Sequence, residues 1–348
     1  MHIGFVTSRY PPHAGGVETH VEQLATRLVD RGHTVTVISA DADPGLAKMT
    51  VRDGVLVRRF IPVGSTDTFH LAVGIASLVR RSEFDIVHAH NYHSFPFALG
   101  AIGSRVPVVC TPHYHGGSAD SLRDKLLSLY QPVGWAVFEK AAAVVAVSTW
   151  EKDQLAADFG IESTVIPNGI DVDRFRSATP ADTTSPTLLT VGRLVEYKGV
   201  QHVIRALTNL PEYQLRVVGD GPYRDSLEAC AHAEGVDDRV EFLGHVPDSE
   251  LVQQYASADV FVSMSSVEAA GITVGEALAA ETPTVVRPKK GLSHWVCRDD
   301  CLSADPASLA GAVARVRSQN VPSEPLPTWE RAVDELELIY QNVVSSDG

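Results

Sequence analysis

Residues 2–39 read HIGFVTSRYPPHAGGVETHVEQLATRLVDRGHTVTVIS. A short apolar run, HIGFVTS, gives way to a loop with Gly15 and Gly16, and then to an amphipathic segment, VEQLATRLVDRGH. HTVTVIS follows as a second β-branched run. The order strand, glycine-containing loop, helix, strand is a parallel β-α-β unit, because parallel strands need a crossover long enough to hold a helix. The class is therefore α/β. The loop lacks GxGxxG, which argues against a dinucleotide-binding Rossmann site.

The same alternation continues outward. VRDGVLVRRF (Val51–Phe60) reads as a strand or hairpin, FDIVHAHN (Phe84–Asn91) as a strand with its loop, and VPVVCTPHYHGG (Val106–Gly117) as a strand ending in histidines. The carboxyl ends of parallel strands are where such folds place ligands, so His113 and His115 point toward a site. His88, His90 and His93 divide evenly between function and ordinary strand-end hydrogen bonding. Ser121–Ala141 reads as a core-facing helix pair broken near Pro132; with Arg123 and Lys125, it has peripheral membrane contact as its alternative reading. AAAVVAVS returns as a strand.

After TVIPNGIDVDRF, the Ser/Thr/Pro/Asp-rich stretch Arg176–Pro186 is the best compositional boundary. A second parallel series then begins with TLLTVGRLVEYKGV, YQLRVVGDGPYRDSL, VEFLGHV, DVFVSM and TPTVVRP. Within it, Ser265–Leu278, SSVEAAGITVGEAL, reads as a loop turning into a helix near Gly271. The free amides of a helix start, here Gly271, Ile272 and Thr273, suit phosphate, and the flanking carboxylates Glu268 and Glu276 suit sugar hydroxyls. Glu276 alone would read as a structural first-turn acid. Arg193 and Lys198 alone would read as solvated cations. Together, the two cations, two carboxylates and a helix start can bind the diphosphate and sugar of an activated donor.

Composition limits the alternatives. The 348 residues suffice for two domains, and the formal charge of −14 argues against general nucleic-acid affinity. The four cysteines, Cys110, Cys230, Cys297 and Cys301, lack zinc spacing and read as reduced thiols of a cytoplasmic protein. No secretory signal is read at the start, and no run approaches a membrane span.

The segments PPHAGGVETHV, DIVHAHN, VVCTPHYHG, VIPNGIDVDRF, VGRLVEYKG, VVGDGP, FLGHV and SSVEAAGITVGEALAAETPTVV, in this order, resemble the glycosyltransferase family 4 enzymes, or glycosyl transferases group 1. The resemblance covers about residues 1 to 287. It implies the GT-B fold, two Rossmann-like domains facing each other across a cleft: an acceptor-side domain, residues 1–168, and a nucleotide-sugar domain, residues 169–327. The closing helix, about residues 328–344, is assigned back to the first domain, with packing on the second as the alternative.

The resemblance also implies roles. Glu268 would contact the transferred sugar and Glu276 the ribose, while Arg193 and Lys198 would neutralise the diphosphate. Gly16 would let its loop approach the phosphates, and His113 would lie near the sugar. The catalytic set is thus His113, Arg193, Lys198 and Glu268, and the donor-binding set Gly16, Arg193, Lys198, Gly271, Ile272, Thr273 and Glu276. The expected activity is retaining transfer from a nucleotide-diphosphate sugar to a glycan, lipid-linked or small-molecule acceptor, with reaction in the cleft after closure. No metal and no cofactor are expected. A sugar-nucleotide 2-epimerase and a non-catalytic scaffold subunit are the competing readings. Two departures bear on the donor pocket: Ala270 stands where the family commonly has an aromatic residue, and RPKKGLSHWV follows TPTVV in place of a small-residue turn leading to a Glu.

Overall fold

The opening pattern becomes β1 (His2–Thr7), α1 (Gly16–Asp30) and β2 (Thr34–Ala40), with β1 and β2 parallel from His2 opposite Thr34 to Thr7 opposite Ser39. The structure, a computed structural model, describes residues 1–13, 15–41, 43, 45–63, 70–116, 121–181, 185–316 and 321–346, without the side chains of 121–128. The chain divides into two units, Met1–Asn168 with the segment from Trp329 onward, and Gly169–Thr328.

Unit 1 continues with β3 (Met49–Arg52), β4 (Val55–Phe60), α2 (Gly74–Arg81), β5 (Ile86–His90), α3 (Phe95–Gly103), β6 (Val108–Thr111), α4 (Ser121–Lys140), β7 (Ala143–Ala146), α5 (Thr149–Phe159) and β8 (Thr164–Val165). Its sheet runs β3-β4-β2-β1-β5-β6-β7-β8, and the β3–β4 hairpin is its antiparallel edge. Unit 2 holds α6 (Val172–Arg176), β9 (Thr187–Val191), α7 (Val200–Ala206), β10 (Gln214–Val218), α8 (Arg224–Ala233), β11 (Val240–Gly244), α9 (Asp248–Ala256), β12 (Val260–Ser263), α10 (Ile272–Ala279), β13 (Thr284–Val286), β14 (Cys301–Ser303) and α11 (Leu309–Val316). Its sheet is parallel throughout, in the order β11-β10-β9-β12-β13-β14.

Both sheets are covered on two faces, which is why their central strands are buried at nearly every position. In unit 1, Ile3, Phe5, Val35 and Val37 pack beneath Val21, Leu24 and Leu28 of α1. The last helix, α12 (Trp329–Ser346), buries Trp329, Val333, Leu336 and Tyr340 in the same core. Each such side chain contributes about 1.5–3 kcal/mol by leaving water. Exposed pairs along this contact, among them Arg27 with Glu330 at 2.9 Å, add far less.

Two expectations need correction. The Ser/Thr/Pro/Asp-rich stretch is not where the units part: α6 precedes it and packs Phe175 against Tyr255 in unit 2, so the division falls at Asn168. Composition marks exposed loops, and this one lies inside unit 2; its residues 182–184 are outside the described set. Likewise, Ser121–Ala141 is not a broken helix pair. α4 runs through Pro132, because a proline deletes one backbone donor while Val137 and Phe138 remain buried against Tyr92 and Phe97. The side chains of Arg123 and Lys125, which carry the membrane reading, lie outside the described residues, as does Gly117. No helix among the described residues is long and apolar enough to cross a membrane. All four cysteines are free.

Candidate functional site

Each sheet reverses its strand order once, between β1 and β5 in unit 1 and between β9 and β12 in unit 2. Loops leaving adjacent strands in opposite directions open a crevice at such a point, on the carboxyl side. The singled-out residues cluster at these two positions.

In unit 2, three loops are joined by backbone hydrogen bonds. Gly192 N–H donates to Val218 at 2.9 Å, Leu194 N–H to Asp220 at 2.9 Å, and Ser266 N–H to Tyr197 at 2.8 Å. Glycine is required where they cross: Gly199 has φ +75°, and a Cβ there would overlap the Met264 carbonyl. GDGP therefore does more than turn, since a Cβ at Gly221 would strike Leu194 O, behind Arg193. Arg193 is exposed, with no carboxylate partner among the described residues.

Lys198 ends a single 3-10 turn, Glu196–Lys198, and its ammonium hydrogen-bonds the Glu268 carboxylate. The pair is largely withdrawn from water, with side chains 24% and 18% exposed. Burial alone would lower the Lys198 pKa, but the charge and hydrogen bond of Glu268 outweigh it and the pKa is raised. The contact uses one ammonium donor and Oε1 of Glu268, which leaves two ammonium donors and the other carboxylate oxygen to offer a ligand.

Gly271, at φ +70°, caps α10, and Ile272 and Thr273 begin it. The first helical N–H groups have no acceptor within the helix, so they face outward. One turn on, Glu276 accepts a 2.7 Å hydrogen bond from Tyr255 Oη through Oε2. Burial raises the Glu276 pKa while that hydrogen bond and Arg174 oppose it.

The departure at RPKKGLSHWV acquires a purpose here. Its backbone passes behind the Glu268 loop, where Gly291 N–H donates to Glu268 O at 2.9 Å and the Trp295 indole N–H donates to Ala270 O at 2.7 Å. A Cβ at Gly291 would overlap Ala269 O, and Trp295 is buried against Ile170 and Leu292. An aromatic ring supplied from residue 295 thus supports the loop that carries Ala270. Sequence reading missed Trp295 and Gly291; the small Ala270, followed by a Trp within the departing segment RPKKGLSHWV, was the available signal.

In unit 1, Gly16 begins α1, and a Cβ there would meet nothing within 4 Å, so protein packing does not require glycine. His113 lies two residues beyond β6, buried, with φ +48°. The Glu151 carboxylate holds this bend, accepting from the N–H of Tyr114 and, at 2.6 Å, from that of Val147. Burial raises the Glu151 pKa to about 8 against those two donors. Beside His113 stand His20 and His90, with ring centroids 4.6 Å and 5.9 Å away. Burial lowers the His20 pKa to about 4 and holds His88, His90 and His113 well below the ordinary value, so all four imidazoles are neutral at pH 7. His20 went unweighed in the sequence, although it lies on the buried stripe of α1, one turn from Gly16.

Known proteins match the chain over both units. The family model for Glycosyltransferase Family 4 matches residues 14–174, and that for glycosyl transferases group 1 matches residues 171–324. A glycogen synthase of Mycobacterium tuberculosis is 32% identical over 95% of this chain and 88% of its own. Among solved structures, sucrose-phosphate synthase from Thermosynechococcus elongatus superposes with a TM-score of 0.84 at 20% identity, over 99% of both chains. Anabaena HepE, solved in complex with UDP-glucose, superposes with a TM-score of 0.73 at 21% identity, over 99% of this chain and 96% of that one.

Proposed function

Because the chain belongs to Glycosyltransferase Family 4, with the GT-B fold, we propose that it moves a hexosyl group with retention from a nucleotide-sugar to a glycan, lipid-linked or small-molecule acceptor. The setting proposed is cytoplasmic, in cell-surface polysaccharide or glycoconjugate assembly, without a required metal.

The observation that carries this reading is the withdrawn Lys198–Glu268 pair beside Arg193 and the start of α10. A donor diphosphate would take Lys198 and Arg193, and the transferred sugar would offer its hydroxyls to Glu268. The ribose would bond to Oε1 of Glu276, whose Oε2 Tyr255 already occupies. As the bond from the anomeric carbon to the diphosphate oxygen breaks, the acceptor oxygen bonds to that carbon on the same face. The acceptor proton passes to a departing phosphate oxygen. Negative charge grows on the diphosphate during this step, so cations and amide dipoles fixed in a partly dry site stabilise the transition state more than the ground state.

Thermal melting with UDP-, GDP- and ADP-sugars, without added metal, tests the reading. One base class should raise the melting temperature, by about 2.7 kcal/mol of stability at a hundredfold excess over Kd. The shift should vanish in Glu276→Ala and Lys198→Ala. A folded protein that responds to no donor at low or high salt would sink it.

A further inference from the structure

Three rings in unit 1 bring together four buried nitrogens that have no hydrogen-bond partner among the described residues: His20 Nε2, both nitrogens of His90, and His113 Nε2. The rings come from the second turn of α1, the last residue of β5 and the bend after β6, which adjacency of β1, β5 and β6 assembles at the switch point. One nitrogen from each ring lies within 4.8 Å of the other two.

Neighbouring groups decide what these nitrogens can accept. His20 Nδ1 is 2.7 Å from Asn168 Oδ1. An amide oxygen only accepts, so Nδ1 carries the ring proton and Nε2 is a bare lone pair facing the cluster. His88, whose ring is 4.0 Å from that of His90, is different: Tyr340 Oη at 2.6 Å and Thr111 Oγ1 at 2.7 Å satisfy both its nitrogens. These four nitrogens therefore belong to one group of three rings, which His88 does not join. A histidine whose far nitrogen is held by an oxygen acceptor, so that its near nitrogen presents a lone pair, is the arrangement that orients metal ligands.

We propose that His20, His90 and His113 bind one divalent transition-metal ion of the zinc class, through His20 Nε2, His113 Nε2 and one nitrogen of His90. Three neutral nitrogen donors without a carboxylate suit zinc, cobalt, nickel or copper; magnesium and calcium take oxygen ligands. Metal–nitrogen bonds of about 2.0–2.1 Å require the rings to draw together by roughly an ångström on loading. An ion on His113 Nε2 occupies the atom available to a sugar hydroxyl, so it acts as a reversible inhibitor of transfer. Only this last clause rests on the proposed function; binding stands without it.

The test uses the full chain freed of metal with a chelator, then titrated with Co²⁺ while visible absorption is followed, and with Zn²⁺ as competitor. The expected result is one equivalent of Co²⁺ with the intense visible bands of a tetrahedral site, displaced by Zn²⁺. His90→Asn and His20→Phe, each checked for folding by circular dichroism, should abolish the bands. Asn168→Ala should weaken binding about tenfold and Asn168→Asp should retain it, since a carboxylate also accepts from Nδ1. No stoichiometric cobalt spectrum, or an equal one in folded His90→Asn, overturns the site. Zn²⁺ binding that leaves transfer unchanged overturns the inhibition and keeps the site.

Discussion

The two switch points use opposite electrostatics on closely similar scaffolds. Unit 1 presents buried imidazoles that burial keeps neutral, whereas unit 2 presents Arg193, the Lys198–Glu268 pair and Glu276. Neutral nitrogens in a dry crevice suit hydroxyl groups or a metal ion, and fixed cations suit a diphosphate. The same parallel topology thus gives two chemistries, and the difference lies in whether each charged group has a partner that offsets its desolvation.

Acid should break this contrast most strongly. The folded pKa of His20, about 4, lies below its unfolded value of about 6.5, and His88, His90 and His113 are lowered too. The folded state then binds fewer protons, so the stability these groups allow is present above pH 6.5 and is lost as pH falls toward 4. His20 alone accounts for about 3 kcal/mol of that loss. Hydrogen exchange of the β5 and β6 amides should accelerate over this range before that of β9 and β12. Equal protection of the four strands from pH 7 to 4 would remove the contrast.

The charged crest is tested by Lys198→Ala. Transfer, as kcat/KM, should fall by about 10²–10³ while circular dichroism stays unchanged, the scale expected when one group stabilising transition-state charge is lost. A loss below tenfold would mean that the cation is only half of a structural pair. Trp295→Phe sharpens the comparison with a smaller effect, since it removes the hydrogen bond to Ala270 O and keeps most of the ring's packing. One neutral hydrogen bond is worth about 1 kcal/mol, so donor KM should rise about fivefold with kcat nearly constant. A change confined to melting temperature would make Trp295 a packing residue alone.

Much of the fold was legible because strand and helix periodicities are local. HIGFVTS, HTVTVIS and DVFVSM stand in the sheets where their β-branched runs imply. Proline and composition misled at Pro132 and at Arg176–Pro186, where burial of Phe138 and Phe175 outweighs local preference. At the site, Lys198 and Glu268 are 70 residues apart, and their contact follows from β9 pairing with β12. His20 was invisible as a site residue because a single histidine on an apolar helical stripe reads as core.

By itself, the sequence determined the α/β class, the tandem units and the kinship, since these rest on periodicity and on the order of motifs along the chain. Only the tertiary structure decided which side chains are withdrawn from water together: the Lys198–Glu268 pair, the three-histidine cluster with Asn168, and Trp295 behind Ala270. Proximity across strands, and the desolvation that gives it energetic weight, exist only after distant segments have been paired.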